Sequence, residues 1–205
     1  MPEETSGQQQ AAPLNRGRAS TGINGLDLAL DGGFLPGSTI LVIGSPTSGL
    51  DRFARQFWAI SPATRDLFML DGFAEEGMIP ARGMPADGIL HGGGKGIIVD
   101  SLSTLIMRDG IDPVLSGVVS SRESVRSAQE NAFFILYRGL HALYNEILLI
   151  RHCDVVIELH EEIRGNEIIR ALEVKKIMGL QIPGRVLPFI VTATGIELST
   201  TSRVV

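Results

Sequence analysis

Apolar and polar positions along the first half of the chain predict alternating strands and helices. Short apolar or β-branched runs cover residues 38–43, 66–70 and 96–101, which is typical of strands buried on both faces of a parallel sheet. Between the first two runs, Phe53, Phe57 and Ile60 recur at helical spacing. This alternation predicts an α/β fold with a mainly parallel sheet flanked by helices. The Gly-rich and Pro-containing segment 77–96 is expected to be a loop.

The second half changes its pattern. Residues 121–149 are predicted to form one long helix, because apolar side chains recur there every three or four residues. We expect that stripe to pack on the sheet rather than bind a cofactor. Strands are predicted at 154–159 and 168–174, with a hairpin turn at 161–167, and the last two strands at 189–192 and 196–199. The stripe consists of Phe133, Leu136, Tyr137, Leu140, Leu143, Tyr144, Ile147 and Leu148.

A glycine-rich turn lies between the first predicted strand and the helix that follows it. This layout, strand then G-x-x-x-x-G then helix, is that of a phosphate-binding loop, whose glycine-bounded backbone cradles phosphate. The motif continues with Lys and then Ser or Thr, but the chain has Leu50 and Asp51 there. The candidate nucleotide-binding residues are therefore a degenerate loop: Gly44, Ser45, Pro46, Thr47, Ser48, Gly49, Leu50 and Asp51.

The composition and charge of the chain restrict the partners and the cellular compartment that we expect. The 205-residue chain has a formal net charge of −5, which gives no support to a nucleic-acid-binding surface. Cys153 is its only cysteine, so an internal disulfide cannot form. Residues 1–16 are polar and lack an apolar signal region, so we expect a disordered tail, a single domain over 17–205 and a cytoplasmic protein without a membrane span.

Several blocks together resemble a known family. The opening STGINGLDLALDGGFLPGS, the loop, the strand ending in Asp100 and Ser101, and the closing LEVKKIMG and PFIVTATGIEL are similar to the KaiC-like ATPases of the RecA superfamily, common in archaea. The resemblance implies a RecA-type P-loop NTPase core with an antiparallel C-terminal extension. It also implies ATP binding between subunits of a ring.

The resemblance implies roles for three further positions. Asp100 matches a carboxylate associated with Mg²⁺, although it could instead cap the following turn. Asp71 falls near a catalytic pair of glutamates that activates water, and Gly72 occupies the second position. These two aspartates are our only candidate catalytic residues. Lys176 matches a lysine that reaches the neighbouring subunit's nucleotide, or it is a solvated surface lysine; Met178 replaces the companion arginine.

Asp51 allows two interpretations. Beside a triphosphate it would repel the ligand by about 4 kcal/mol at ~4 Å and an intermediate dielectric, unless a metal bridged the two. At a helix N-terminus it faces unpaired N–H groups, worth roughly 0.3–1 kcal/mol, and could take the place of the phosphate. We favour the second interpretation.

Four departures, at Leu50, Asp51, Gly72 and Met178, lead to the hypothesis of a pseudo-ATPase that acts as a regulatory or assembly subunit through protein contacts. We expect no cofactor and a homo-oligomer or an assembly with active paralogues. The alternative is an ATP- and Mg²⁺-binding ATPase with altered loop chemistry, serving as a DNA-repair or signalling accessory.

Two further expectations concern metals and DNA. We expect no metal site, because His152, Cys153 and Asp154 with His160 match no standard ligand spacing. Nucleic acid is not expected as a partner: residues 144–153 leave no room for both a strand and the DNA-contacting loop of recombinase relatives.

Overall fold

The computed structural model describes residues 17–91 and 93–199, so the predicted disordered tail at 1–16 lies outside the described residues. The helices are α1 Asn24–Ala29, α2 Leu50–Ala59, α3 Ala86–Leu90, α4 Leu102–Asp109, α5 Ile111–Ala128 and α6 Leu143–His152. The strands are β1 Thr39–Gly44, β2 Arg65–Met69, β3 Ile79–Pro80, β4 Gly96–Asp100, β5 Ala132–Tyr137, β6 Val155–Arg164, β7 Glu167–Ile177, β8 Leu187–Val191 and β9 Ile196–Leu198.

All these strands join one sheet in the order β3-β2-β4-β5-β1-β6-β7-β8-β9. The pairs from β3 through β6 are parallel, and β7, β8 and β9 continue the sheet as antiparallel strands. This confirms the predicted α/β fold with a mainly parallel sheet and an antiparallel C-terminal extension. β1 lies at the centre, and its carboxyl end therefore opens on the edge where doubly wound sheets bind ligands.

Alternate residues of the central strands fill two cores. Ile40 and Val42 of β1 face α1 and α2, whereas Leu41 and Ile43 face α3, α4, α5 and α6. Because β1 is buried on both faces, its sequence is continuously apolar rather than alternating. The sheet is thus a three-layer sandwich with helices on each side.

The predicted long helix at 121–149 is wrong. Helix α5 ends at Ala128, and residues 132–137 form β5, paired between β4 and β1. Six consecutive apolar residues suit a strand buried on both faces. In so short a run, apolar residues at helical spacing do not distinguish a helix from a strand. The argument against DNA contacts assumed that the chain has no room for a further strand and loop after the long helix. That argument no longer holds, because β5 is present and the short connection 138–142 joins it to α6.

Two other expectations change. The hairpin strands β6 and β7 run further than predicted, because cross-strand pairs continue to Arg164 and Glu167 and the turn is reduced to Gly165 and Asn166. The segment 77–96 is not only a loop. It contains β3 and α3, whose Ile89 and Leu90 are buried in the core shared with α5.

No helix in the described part of the chain combines the length and apolar character needed to cross a membrane.

Candidate functional site

The glycine-rich loop extends from the carboxyl end of β1 to α2, as the sequence predicts. Gly49 has a left-handed backbone with φ of 99°, and a side chain there would also press on Val191, with Cβ 3.0 Å from Cγ2. At Gly44 a Cβ would lie 2.5 Å from the hydroxyl oxygen of Ser48. Ser48 in turn closes the turn by donating to the carbonyl of Ser45 at 2.7 Å. The loop backbone therefore requires both of its glycines.

The two residues that replace the usual Lys and Ser/Thr point in different directions. The side chain of Leu50 is 1% exposed and belongs to the core beneath α2, with Phe53 and Phe57. The carboxylate of Asp51 is 52% exposed, and its oxygen lies 3.9 Å from Arg52 Nε. Leu50 thus contributes to stability as a core residue, and Asp51 places a negative charge in the first turn of α2.

Glu161 of β6 reaches across to the loop, a contact that sequence reasoning missed. Its carboxylate accepts a hydrogen bond from the Thr47 hydroxyl at 2.7 Å and a longer one from Ser45 at 3.4 Å. Arg170 of β7 forms an ion pair with the same carboxylate at 2.8 Å. The Thr47 hydrogen bond, with help from Arg170, lowers the pKa of Glu161, so its negative charge is maintained beside the loop. Residue 161 was assigned to a turn, and only the longer hairpin brings it here.

Asp71 follows β2 and accepts hydrogen bonds from three hydroxyl groups. Ser101 donates to it at 2.7 Å, Tyr137 donates at 3.1 Å, and Thr104 donates a shorter bond. Sequence reasoning missed all three donors, and it had placed Tyr137 on a helix. Burial and the nearby Asp100 and Asp71 raise the pKa of Tyr137, so it remains a donor. A carboxylate that accepts from three hydroxyl groups is held in one position.

Asp100 ends β4 and is buried, with 4% of its surface exposed. Burial raises the pKa of its carboxyl group to about 7, with repulsion from Asp71 and Asp51 adding to the effect and Arg55 opposing it. Burial thus favours the protonated form of Asp100 up to a much higher pH than for an exposed carboxyl group. A protonated carboxyl group is a poor ligand for Mg²⁺, which prefers charged oxygen donors.

Glu75 and Arg55 form an exposed pair beside these aspartates, with Arg55 Nη1 2.6 Å from Glu75 Oε1. Arg55 also donates to the carbonyl of Phe73 at 3.3 Å. The guanidinium that counters the charge of Asp100 is thus also tied to the loop after β2.

Lys176 lies away from the other predicted site residues of the same chain. Its ammonium donates to the carbonyls of Ile150, Arg151 and Cys153 at 3.1, 3.0 and 2.6 Å. These carbonyls belong to the last turn of α6 and the residue after it, where backbone acceptors lack helical partners. Lys176 therefore caps α6 and pairs with Val156, near the start of β6, whereas the loop lies beyond the other end of β1.

The fold brings the loop, Asp51, Asp71 and Asp100 to one edge of the sheet. The sequence places Asp71 and Asp100 at strand ends and Asp51 at the start of a helix, and the structure has them there. The carboxyl ends of parallel strands converge at this edge. Their assignment to catalysis or nucleotide binding stays a prediction. Glu161, Ser101, Thr104 and Tyr137 complete the site.

Comparison with protein-family models and with curated protein sequences gives no match. Among solved structures, the chain is similar to a KaiC-like protein from the hyperthermophilic archaeon Pyrococcus horikoshii OT3, with a TM-score of 0.67 and 18% sequence identity. The alignment covers 91% of this chain and 100% of that one. At this identity the similarity shows the fold, which is KaiC-like and RecA-type.

Proposed function

We propose that this KaiC-like chain is a pseudo-ATPase, catalytically inactive, that acts as a regulatory or assembly subunit through protein contacts. One observation carries the proposal. The residue where a phosphate-binding loop has its lysine is Leu50, and its side chain is buried in the core beneath α2. A loop without that ammonium group lacks the contact to the β- and γ-phosphates of a nucleotide.

The charges around the loop also oppose a triphosphate. Glu161 contacts the loop directly, and Asp51 and Asp71 lie close enough to Asp100 to raise its pKa. The arginines at this edge are engaged, Arg170 by Glu161 and Arg55 by Glu75. Mg²⁺-ATP would bring further negative charge to a site already rich in carboxylates, and the residues present do not fit it.

The carboxylates suited to hydrolysis have other partners. A general base must accept a proton from water within hydrogen-bonding reach. Asp71 already accepts from three protein hydroxyls, and burial raises the pKa of Asp100 to about 7, which favours its protonated form. Neither arrangement favours the activation of water.

Protein contacts are supported by an apolar surface on α6. We define the α6 surface as Leu140, Leu143, Tyr144 and Ile147, all exposed, with Leu143 and Tyr144 each 70% exposed. Leu140 lies just before α6 and the other three lie on its first turns. Large exposed apolar side chains grouped in this way mark contact sites. This surface fits an interface with a second copy of the chain or with an active paralogue.

Nucleotide binding is the decisive measurement. The purified chain would be titrated with a fluorescent ATP analogue in Mg²⁺, and phosphate release from ATP would be followed in parallel. We expect neither saturable binding in the micromolar range nor hydrolysis. Micromolar binding would contradict the proposal, and turnover would do so even more directly.

One observation favours the alternative, an ATP-binding protein with altered loop chemistry that serves as a DNA-repair or signalling accessory. The loop backbone keeps both glycines and leads into the N-terminus of α2, where backbone N–H groups bind anions. Under this alternative the ATP analogue binds and is hydrolysed slowly or not at all. A DNA-repair role further requires salt-dependent binding to single-stranded DNA.

A further inference from the structure

Three side chains with metal-binding atoms meet on the hairpin of β6 and β7. Glu158 and Glu173 are direct cross-strand partners, and His160 lies two residues after Glu158. Residues two apart on a strand share a face, so all three side chains project from the same side of the ribbon. In the sequence, His160 stands near His152, Cys153 and Asp154, a set that matches no standard ligand spacing. The register instead brings His160 to the two glutamates.

The ligand atoms are already close. His160 Nε2 lies 2.9 Å from Glu173 Oε2, and His160 Nδ1 lies 3.7 Å from Glu158 Oε1. One ligand atom from each of the three residues lies within 4.8 Å of the others. The two contacts use opposite nitrogens of the imidazole, and one ion would bind only one of them, so a side chain must turn to complete the site. Tetrahedral zinc with bonds of about 2.0–2.2 Å holds its ligands a little over 3 Å apart, and the three ligand atoms need to approach one another only slightly to reach that spacing.

Two cations now neutralise this cluster. Lys175 Nζ lies 3.4 Å from both Glu158 and Glu173, and Arg138 pairs with Glu158 at 2.5 Å. Two like charges placed directly opposite on neighbouring strands are destabilising unless they are countered. Lys175 is the unpaired residue of the β-bulge opposite Val156 and Ile157, and its side chain is 45% exposed. It can leave the cluster for solvent without breaking a strand pair.

We propose that Glu158, His160 and Glu173 form a binding site for a divalent cation of the zinc class, with water as the remaining ligand. One imidazole and two carboxylates are ligands that Zn²⁺ accepts, and imidazole disfavours Mg²⁺ and Ca²⁺. The burial of Glu158, 5% exposed, fixes one ligand, while half-buried His160 and Glu173 leave an open side for the ion to enter. Bound metal replaces the ammonium of Lys175 and ties β6 to β7. The proposal does not depend on the state of the phosphate-binding loop.

The test is zinc titration of the full chain after treatment with a chelator, followed by calorimetry. We expect one Zn²⁺ per chain. Co²⁺ should compete with Zn²⁺ for the same site and, once bound, should give the absorption bands of a four-coordinate ion. His160→Ala and Glu173→Gln should each weaken binding by at least about tenfold to a hundredfold, the loss typical even of outer-shell partners. Both side chains are partly exposed, so these variants should fold, which circular dichroism would verify.

Two further variants separate a metal site from an ion-pair network. His91→Ala is the matched control, because His91 also pairs with a carboxylate, Asp87 at 2.9 Å, but at α3 instead of the β6–β7 hairpin; zinc affinity should not change. Lys175→Met should tighten zinc binding several-fold, since it removes the competing charge. Absence of saturable zinc binding to the wild-type chain overturns the proposal. So does binding that His160→Ala and Glu173→Gln leave intact.

Discussion

The Thr47 hydroxyl donates a 2.7 Å hydrogen bond to the carboxylate of Glu161, and this bond joins the glycine-rich loop after β1 to the hairpin of β6 and β7. Hydroxyl groups of the loop therefore donate hydrogen bonds to a carboxylate of the same chain. Sequence reasoning assigned the role of internal phosphate replacement to Asp51, at the start of α2. The structure adds Glu161 as the carboxylate that contacts the loop, while Asp51 faces solvent beside Arg52.

Glu161→Gln should reduce stability at neutral pH and flatten its acid dependence. The lowered pKa of Glu161 in the folded state means that its contribution is present above the ordinary glutamate pKa, near 4.3, and is lost as pH falls through the folded value. We expect a loss of roughly 1 kcal/mol at pH 7, as for partly exposed charged hydrogen bonds. Urea unfolding at pH 7 and pH 3 measures it, and an equal loss at both values would contradict the assignment.

Asp100→Asn should stabilise the protein at neutral pH. The folded pKa of about 7 exceeds the unfolded value near 3.9, so the wild-type chain loses stability from this group as pH rises from about 4 to about 7. The difference between these two pKa values corresponds to at most roughly 4 kcal/mol. Unfolding free energies of both chains at pH 4, 6 and 8 should diverge with rising pH.

The Asp100 prediction has an internal control. Asp66→Asn removes a half-buried carboxylate of β2, the strand that pairs with β4, where Asp66 forms an ion pair with Lys95 at 3.0 Å; this variant should not change the slope of stability between pH 4 and 7. If Asp100→Asn has the wild-type slope over that interval, then Asp100 is ionised in the folded protein and the burial argument fails.

Lys176→Met should destabilise the chain without any nucleotide present. The substitution keeps an apolar stem of similar length but removes the donor to three backbone carbonyls at the end of α6. Loss of a charged donor to several acceptors is expected to cost about 1–3 kcal/mol. Denaturant unfolding measures the change. Lys95→Met, which removes a surface ion pair, is the control and should cost less than about 1 kcal/mol.

Much of the fold could be predicted because strands buried on both faces have a simple sequence pattern. The runs that became β1 and β4 are short and continuously apolar, and turn residues bound them. The run at 132–137 has the same character, yet it was joined to the apolar residues of α6 into one helical period. Periodicity alone does not separate a strand from a helix where two apolar elements adjoin, and strand pairing with β1 and β4 decides it.

The site was predictable only in part, for a related reason. Residues at strand ends and in a glycine-rich turn have local signatures, so the loop, Asp71 and Asp100 could be named. Glu161 meets Thr47 across 114 positions, and Glu158 meets Glu173 only through strand register. Such contacts depend on where the hairpin turn lies, and a shift of the turn by a few residues moves every cross-strand partner.

The α6 surface predicts self-association. Leu143→Glu places a charge where the proposed interface is apolar, and light scattering should then report the mass of a single chain. Met107→Glu on α4 is the matched control, because Met107 is also 70% exposed, and it should leave the wild-type mass unchanged. If the wild-type chain is already monomeric, the α6 surface does not mediate self-association, and its partner would be a different protein.

Placing the usual lysine and threonine in the loop tests our proposal that Leu50 and Asp51 prevent nucleotide binding. The double substitution Leu50→Lys with Asp51→Thr returns the ammonium and the hydroxyl to a loop whose glycines and backbone are retained. Because Leu50 is 1% exposed in the core, the change costs stability as well, by roughly 2–5 kcal/mol for loss of a buried leucine. Folding must therefore be verified first, and Asp51→Thr alone is the control, since it removes the repulsive charge and leaves the core intact.

We expect the double variant to bind the fluorescent ATP analogue measurably, and adding Glu161→Gln to strengthen binding, because Thr47 is then released from a charged acceptor. If a folded triple variant binds no nucleotide, the acidic edge formed by Asp71 and Asp100 prevents binding independently of the loop.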